Sequence, residues 1–236
     1  MVFAAIVAGG IGSRMNVADM PKQFLNLGDR PIIIHTIQKF LLSKRIDRVY
    51  IGVHPDWTDY MSELLEKYFG DSNACVTVPG GADRSETLFN VIDRIESDYG
   101  ESDSNVVLTH DAVRPFVSLR IIEENIDAVL KHGAANTVIQ SIDTVMVSSD
   151  GEFITSVPER KHMYQSQTPQ SFNIALLRKM YQSLSEEEKG TLTDACRICT
   201  VRNYPIYIVE GETVNLKITT PTDYKLAQVI LDETNK

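Results

Sequence analysis

The chain has 236 residues, of which 43% are hydrophobic and 23% charged, and its formal net charge at pH 7 is −9. The acidic balance argues against a nucleic-acid-binding protein, and no apolar run approaches the roughly 20 residues needed to span a bilayer. Because the N-terminus also lacks a basic region followed by a long apolar stretch, we expect a soluble, cytoplasmic protein without membrane insertion.

Short apolar runs alternate with amphipathic stretches along most of the chain. The apolar runs predict strands at residues 3–7, 48–53, 74–78, 105–110, 136–142 and 206–209. The amphipathic stretches predict helices at residues 31–43, 57–69, 84–97, 119–131, 173–185 and 221–232. This alternation predicts an α/β, Rossmann-like, three-layer αβα fold with a mostly parallel central sheet. Ligands then bind beyond the carboxyl ends of the strands.

The first predicted strand leads directly into a glycine-rich segment that contains Arg14, and Pro21-Lys22-Gln23 follows. Glycine lets backbone N–H groups approach an anion closely, while Arg14 and Lys22 supply positive charge. The segment lacks the Gly-Lys-Ser/Thr of the Walker motif, and Met15 stands where the dinucleotide fingerprint needs glycine. A plain turn is the alternative for such a segment alone, but the added cations favour a phosphate-binding loop.

A second glycine turn, from Pro79 to Thr87, opens the third predicted helix. Its backbone groups and the Thr87 hydroxyl can contact a base or a ribose. The equally open alternative is a structural one, in which Asp83 or Ser85 caps the helix. Arg84 can contact a ligand or form a salt bridge.

Asp111 follows the fourth predicted strand, in the segment His110-Asp111-Ala112-Val113-Arg114-Pro115. An aspartate at this position can hold Mg²⁺, which prefers one or two carboxylates together with substrate phosphates and water. Arg114 can brace that aspartate or contact the ligand. A Ser-His-Asp hydrolase is disfavoured because no Gly-x-Ser-x-Gly segment is present, and His110 is interpreted as structural.

Residues 143–167 interrupt the alternation. They are polar and contain Ser148-Ser149-Asp150-Gly151, which predicts the turn of a protruding β-hairpin arm. A hairpin cannot bury both of its faces by itself, so we expect the arm to pack against a second subunit.

The chain has three cysteines, which are too few for a disulfide scaffold. The Cys196-x-x-Cys199 pair could bind metal or act in redox chemistry, but a structural zinc site needs two further ligands. We therefore expect two small apolar side chains on a helix.

These motifs, in this order, resemble those of nucleotidyltransferases, and in particular the cytidylyltransferases that act on methylerythritol phosphate and on ribitol phosphate. The matching segments are Ala-Gly-Gly-x-Gly-x-Arg-Met with Pro-Lys-Gln, then His-Asp-Ala-x-Arg-Pro, and later Thr193-Asp194-Ala195 and Asn215-Leu216-Lys217. The resemblance extends from residue 3 to about residue 230. The segments 163–172 and 193–196 are closer to the ribitol-phosphate branch. Thr213 and Val214 stand where the other branch has an acidic residue.

The resemblance implies a single nucleotidyltransferase domain over residues 1–236, with a dimerisation arm at about residues 143–167. It implies transfer of CMP from CTP to D-ribitol 5-phosphate, which gives CDP-ribitol and pyrophosphate for poly(ribitol phosphate) teichoic acid synthesis. Mg²⁺ held by Asp111 and a homodimer are implied as well.

The same resemblance assigns roles to individual residues. Arg14 and Lys22 are implied to be catalytic. The residues implied to bind CTP are Val7, Ala8, Gly9, Gly10, Gly81, Ala82, Asp83, Arg84, Ser85, Glu86, Thr87, Ala112 and Arg114. The residues implied to position the acceptor are Arg160, Lys217, Thr168 and Thr193.

Three alternatives stay open. The nearest is a methylerythritol-phosphate cytidylyltransferase, and the next is a sugar-1-phosphate nucleotidyltransferase that uses UTP or dTTP. The third is a non-catalytic nucleotide-binding module, against which Arg14, Lys22 and Asp111 weigh.

Overall fold

A computed structural model describes residues 1–10, 20–70 and 73–234. In this part of the chain the strands are β1 (Val2–Ala8), β2 (Asn26–Leu27), β3 (Arg30–Pro31), β4 (Arg48–Val53), β5 (Cys75–Pro79), β6 (Val106–Asp111), β7 (Ala134–Gln140), β8 (Tyr164–Asn173) and β9 (Tyr207–Glu210). The helices are α1 (Ile32–Leu41), α2 (Thr58–Phe69), α3 (Arg84–Tyr99), α4 (Leu119–His132), α5 (Ile174–Gln182), α6 (Glu186–Gly190), α7 (Ala195–Val201) and α8 (Pro221–Thr234).

Seven of the strands form one sheet in the order β5-β4-β1-β6-β8-β7-β9. Neighbouring strands are parallel except at β8, which is antiparallel to both β6 and β7. One hydrophobic core packs α3, α5 and α7 on one face, and a second packs α1, α2 and α4 on the other. The predicted α/β fold with a mostly parallel, helix-covered sheet is confirmed.

Strand β1 is apolar along its whole length and contributes side chains to both hydrophobic cores. In β1, Phe3 and Ala5 belong to one core, while Ala4 and Ile6 belong to the other. A run of this kind is typical of parallel strands that helices cover on both sides. Since β1, β4, β5 and β6 are parallel, their carboxyl ends meet at one edge of the sheet, where the glycine turns and Asp111 lie.

Local signals set the ends of several helices. The Asp83 carboxylate accepts a hydrogen bond from the Glu86 N–H at 2.8 Å and caps α3, which confirms one of the two predicted caps. Ser118 caps α4 in the same way. Gly133 follows the last residue of α4, and its φ of +80° is a left-handed conformation that glycine adopts readily.

Strand β8 was not predicted. Its sequence, Tyr164-Gln-Ser-Gln-Thr-Pro-Gln-Ser-Phe-Asn173, is polar and contains proline, so it lacks the apolar pattern of a central strand. Tertiary pairing with β6 and β7 overrides that weak local preference. The short elements α6, α7, β2 and β3 were missed as well, because so few residues carry little periodicity.

The predicted arm is only partly a hairpin. Residues 164–167, which the prediction assigned to it, belong to β8, and one isolated bridge joins Val147 to Ser156. The turn is where it was predicted: the Gly151 N–H donates to the Ser148 hydroxyl at 2.9 Å, and Asp150 accepts from two following N–H groups. The arm carries several exposed apolar side chains.

The cysteine pair lies on α7, where Cys196 and Cys199 are buried, as predicted for small apolar residues. Burial raises the pKa of the Cys199 thiol to about 12, which keeps it protonated at neutral pH. Over residues 1–10, 20–70 and 73–234, none of the helices has both the length and the apolar character needed to cross a membrane.

Candidate active site

A cavity of about 370 Å³ opens at the carboxyl edge of the sheet, between the end of β1, the glycine turn before α3, and the end of β6. Most of its lining was predicted from the sequence. The predicted residues that line it are Val7, Ala8, Gly9, Gly10, Lys22, Gly81, Ala82, Asp83, Arg84, Thr87, Asp111, Ala112 and Lys217.

Asp111 lies at the centre of a cluster of charged side chains. Its Oδ1 is 3.2 Å from Arg84 Nη2, and its Oδ2 is 3.3 Å from Arg114 Nε and 3.0 Å from Lys217 Nζ. Burial raises the pKa of the Asp111 carboxyl, but the three positive charges outweigh burial and hold that pKa below its usual value. One carboxylate against three cations leaves a surplus of positive charge beside the cavity. Such a surplus suits a ligand that carries phosphate groups.

The two arginines and the lysine around Asp111 differ in their freedom to move. Arg114 is 9% exposed, and its Nη1 donates to the Asn215 carbonyl oxygen at 2.7 Å, so it braces Asp111 from behind the cavity. Burial lowers the pKa of Arg114, and the Asp111 charge opposes that effect. The Lys217 side chain is 43% exposed and lines the cavity, so it can leave Asp111 for a ligand.

His110 is a structural residue, as predicted. It is fully buried, with Nε2 3.1 Å from the Arg114 carbonyl oxygen and Nδ1 2.9 Å from Thr168 Oγ1. A carbonyl oxygen only accepts, so Nε2 carries the proton and Nδ1 accepts from the Thr168 hydroxyl. The same hydroxyl accepts from the Asp111 N–H at 3.2 Å. Thr168, which was predicted to position the acceptor, is 4% exposed. Through these two hydrogen bonds it fixes the backbone behind Asp111.

We expect the stability of the protein to fall as the pH is lowered from about 6.5 to about 4. Burial lowers the pKa of His110 from its ordinary value of 6.5 to about 4, so in this interval the unfolded chain binds a proton that the folded chain excludes. The contribution is roughly 3 kcal/mol. Urea unfolding in EDTA at pH 7.5 and pH 4.5 measures the free energy of unfolding of the wild type and of His110→Gln. An equal pH dependence in the two proteins would contradict the assignment.

The two glycine turns contact each other through Thr87. Its Oγ1 accepts from the Gly81 N–H at 3.0 Å and donates to the Asp83 carbonyl oxygen at 2.8 Å. A Cβ atom on Gly9 would lie 2.9 Å from the same Oγ1, and one on Gly81 would lie 2.2 Å from Glu86 Cγ. Both turns therefore require glycine for close approach. Ser85 and Glu86, predicted to bind CTP, belong to the first turn of α3 and do not line the described cavity.

Sequence reasoning did not assign a role to Gln23. Its side chain is 3% exposed, and its Nε2 donates to the carbonyl oxygens of Ala8 at 2.8 Å and Gly10 at 3.1 Å. These bonds fix the start of the glycine-rich loop. The sequence carries no signal for this role, because the burial of the Gln23 amide depends on the folded structure. Val113 is a further lining residue that was not predicted.

Lys22 lies on a short turn that packs against aromatic side chains. Residues Lys22–Phe24 form one turn of 3-10 helix after Pro21. The Phe24 ring packs on Trp57 and Tyr60, with centroids 5.2 Å and 5.1 Å away. This aromatic contact holds the turn so that Lys22 faces the cavity.

Besides Ser85, Glu86, Arg114 and Thr168, the predicted residues that do not line the described cavity are Arg160 and Thr193. Arg14 lies outside the described residues. Arg160 is exposed on the arm and donates to the Ile142 carbonyl oxygen at 3.1 Å, and Thr193 is exposed in the turn before α7. Within the described part of one chain, the cavity lining does not include Arg160 or Thr193.

Comparison with known proteins finds one matching family and a set of similar structures. Residues 2–233 match the family model described as IspD: 2-C-methyl-D-erythritol 4-phosphate cytidylyltransferase. The crystal structure of 4-diphosphocytidyl-2C-methyl-D-erythritol synthase from Anaerococcus prevotii DSM 20548 is similar, with a TM-score of 0.81 and 29% sequence identity over 98% of this chain and 96% of that chain.

Two further structures agree with that similarity. The 2-C-methyl-D-erythritol 4-phosphate cytidylyltransferase from Thermus thermophilus has a TM-score of 0.73 and 27% identity, over 98% of this chain and 100% of that chain. The enzyme of that name from Francisella tularensis has a TM-score of 0.77 over 97% of this chain and 98% of that chain. At 23% identity, the Francisella enzyme supports the fold alone.

Proposed function

Because this chain belongs to the IspD family of cytidylyltransferases, we propose that it transfers CMP from CTP to D-ribitol 5-phosphate. The products are CDP-ribitol and pyrophosphate, and CDP-ribitol serves the synthesis of a poly(ribitol phosphate) teichoic acid. The choice of ribitol 5-phosphate as the acceptor rests on the residues of the segment before Lys217. Thr213 and Val214 are exposed and uncharged there. The resemblance leads us to expect an acidic residue at this place in a methylerythritol-phosphate enzyme.

The reaction needs no nucleophile from the protein. An oxygen of the acceptor phosphate attacks the α-phosphorus of CTP, the new P–O bond forms, and the bond to pyrophosphate breaks. The protein therefore has to align two anions and neutralise their charge. Lys22, Arg84 and Lys217 line the cavity and can do so, and the resemblance adds Arg14.

The residues present fit a divalent cation, on which enzymes of this family generally depend. Asp111 is a carboxylate at the cavity, and Mg²⁺ in such sites is held by one or two carboxylates with substrate phosphates and water. Within the described residues, no group of three or more His, Cys, Asp and Glu side chains could hold a metal ion. Asp111 would hold the cation, which would reduce the charge on the phosphate groups of CTP.

The second candidate acceptor is 2-C-methyl-D-erythritol 4-phosphate, which the names of the similar solved structures favour. Pyrophosphate release from CTP and Mg²⁺, measured in parallel with the two acceptors, distinguishes them. Release with ribitol 5-phosphate alone is expected. Release with methylerythritol phosphate alone would overturn the proposed acceptor. A requirement for UTP or dTTP in place of CTP would indicate a sugar-1-phosphate nucleotidyltransferase. No release with any acceptor would favour a non-catalytic nucleotide-binding module.

We expect Gln23→Glu to raise the KM for CTP about tenfold or more at pH 8. A carboxylate there places negative charge against the carbonyl oxygens of Ala8 and Gly10, which Gln23 now satisfies as a donor. At acidic pH the protonated Glu side chain can donate again, so the defect should become smaller. Steady-state kinetics from pH 5.5 to pH 8 measure the effect, with Gln38→Glu on α1 as the matched control. A defect that does not depend on pH would contradict this role.

We also propose that the predicted arm, without the residues that belong to β8 and with the adjoining residues 141 and 142, forms a homodimer. Its exposed apolar side chains have no cover within the described chain, and the most exposed are Ile142 at 76%, Phe153 at 68%, Ile154 at 60%, Met146 at 56% and Val157 at 55%. Burying them against a second copy would remove this apolar surface from water. In such a dimer, Arg160 would position the acceptor in the neighbouring subunit's cavity, as the resemblance implies.

Mixed dimers test that arrangement. We expect Arg160→Ala and Lys22→Ala each to lose most activity, and hybrids of the two to regain part of it. In a hybrid, one of the two shared sites has both wild-type residues. Activity is measured after co-expression with two different tags and double affinity purification. A hybrid no more active than either parent variant would count against a shared site.

A further inference from the structure

Lys217 lies in a segment that belongs to no helix or strand. This connecting segment, residues 211–219, follows β9 and leads into the turn before α8. A lysine side chain that is 43% exposed in such a segment has many conformations open to it, yet Lys217 Nζ lies 3.0 Å from Asp111 Oδ2. Contacts outside regular secondary structure therefore fix the backbone that carries Lys217.

Asn215 anchors the connecting segment from inside the protein. Its side chain is fully buried, and its Nδ2 donates to the Thr168 carbonyl oxygen at 2.9 Å and to Gln167 Oε1 at 3.1 Å. Its carbonyl oxygen accepts from Arg114 Nη1 at 2.7 Å. Asn215 thus ties the segment to β8 and to the turn after β6, two positions before Lys217.

The residues that Asn215 contacts also hold Asp111. Thr168 Oγ1 accepts from the Asp111 N–H at 3.2 Å, and Arg114 Nε lies 3.3 Å from Asp111 Oδ2. Asp111 and the backbone that leads to Lys217 are therefore fixed to the same two residues behind the cavity. This shared anchor sets the place of the Lys217 ammonium relative to the Asp111 carboxylate.

The connecting segment is also held on the far side of Lys217, but by the backbone. The Ile218 N–H donates to the Val113 carbonyl oxygen at 2.9 Å. Lys217 thus lies between two fixed points, one made by backbone groups and one made largely by the Asn215 side chain. A substitution at Asn215 can remove the second without changing the first.

Gln167 supports the anchor from β8. Its Oε1 accepts from Asn215, and its Nε2 donates to the Glu212 carbonyl oxygen at 2.9 Å. A Cβ atom on Gly211 would lie 2.5 Å from Gln167 Oε1, so the connecting segment passes Gln167 too closely for a larger residue there. The amides of Gln167 and Asn215 therefore act together on the same stretch of chain.

We propose that Asn215 is a positioning residue that holds Lys217 where its ammonium meets the acceptor phosphate. The inference rests on the proposed function, in which Lys217 positions the acceptor. The position requires two donor hydrogens on one atom, aimed at two oxygens of β8, and a neutral amide supplies them without adding charge beside the cations around Asp111. When the Asn215 side chain is truncated, Lys217 keeps its charge but loses its fixed place.

The first measurement reports the place of Lys217 directly and needs no acceptor. Lysine side chains are dimethylated with a ¹³C label, which keeps their positive charge, and their methyl signals are recorded by NMR. Loss of one signal in Lys217→Ala identifies that of Lys217. In Asn215→Ala we expect this signal to move to the position of an exposed lysine such as Lys44, while the Lys22 signal stays. An unmoved Lys217 signal would overturn the inference.

The second measurement shows whether the effect on the reaction passes through Lys217. We expect Asn215→Ala to raise the KM for the acceptor about tenfold, as for the loss of one well-formed hydrogen bond. In the Lys217→Ala background the same substitution should have no further effect, because the group that it positions is gone. Defects that multiply in the double variant would contradict a role through Lys217.

Asn105→Ala is the matched control for a buried asparagine. Asn105 is 4% exposed and its Nδ2 donates to the Gly100 carbonyl oxygen at 3.5 Å, but it lies at the amino end of β6, away from the cavity. We expect Asn105→Ala to lower the temperature of thermal unfolding without changing the Lys217 signal or the KM for the acceptor. The same changes in Asn105→Ala as in Asn215→Ala would show that general destabilisation causes them, and would overturn the inference.

A second variant keeps the test open if Asn215→Ala does not fold. Gln167→Leu removes one of the two oxygens that the Asn215 amide contacts, so it should move the Lys217 signal and raise the KM in the same sense but less. No change in either quantity would contradict the positioning role. If the wild type releases no pyrophosphate with ribitol 5-phosphate, the proposed function fails, whereas the Lys217 signal still decides whether Asn215 positions Lys217.

Discussion

We expect Lys22→Ala to lower kcat with CTP and the acceptor by a hundred- to a thousandfold or more. Lys22 lines the cavity on a turn that Phe24 fixes from the core side. We propose that its ammonium stabilises the charge that develops on the α-phosphate and the leaving pyrophosphate. Loss of a comparable transition-state donor costs roughly 2.7–4 kcal/mol. Single-turnover measurement of pyrophosphate release gives the rate of the chemical step directly.

Two further variants make this result specific. Lys44→Ala removes an exposed lysine in the turn after α1 and should leave turnover unchanged. Lys22→Arg keeps the charge but replaces a compact ammonium by a planar fork, so we expect it to recover only part of the rate. Normal turnover in Lys22→Ala would remove Lys22 from the catalytic group.

The second large effect is expected for Asp111→Asn, which should lose both activity and stability. The substitution leaves Arg84, Arg114 and Lys217 beside a neutral amide, and removing one partner of a buried ion pair typically costs about 3–5 kcal/mol. The pKa of Asp111 is depressed in the folded state, so its contribution is present above the unfolded value near 4 and is lost as the pH falls below it. The difference from wild type should therefore shrink in acid. Urea unfolding of the wild type and of Asp111→Asn at pH 7 and at pH 3 measures the difference in stability and its change with pH.

An exposed aspartate provides the control for that prediction. Asp127 pairs with Arg45 at 2.8 Å, but its side chain is 71% exposed, so Asp127→Asn should cost less than about 1 kcal/mol. Adding Arg84→Met to Asp111→Asn should restore part of the lost stability without restoring activity. Equal losses in Asp111→Asn and Asp127→Asn would show that the charged cluster does not stabilise the fold.

Much of the cavity was predictable because it follows from local patterns and one rule of topology. The apolar run ending at Ala8, the cap at Asp83 and the buried strand ending at Asp111 are each visible within a few residues of sequence. Parallel strands then bring their carboxyl ends to one edge, so that Gly9, Gly81 and Asp111 line a common cavity.

Other features depend on contacts between residues that are distant in sequence. Strand β8 is polar and carries no apolar pattern, so only its pairing with β6 and β7 makes it a strand. The same pairing buries Thr168 behind Asp111.

By itself, then, the sequence determined the fold class, most helices and strands, and the two glycine turns, because hydrophobic periodicity and caps act over one or two turns of chain. The tertiary structure alone decided that Lys217 and Arg84 meet at Asp111 and that Gln23 holds the carbonyl oxygens of Ala8 and Gly10. Hydrogen bonds and ion pairs act over a few ångströms, and only the completed sheet brings these residues within that distance.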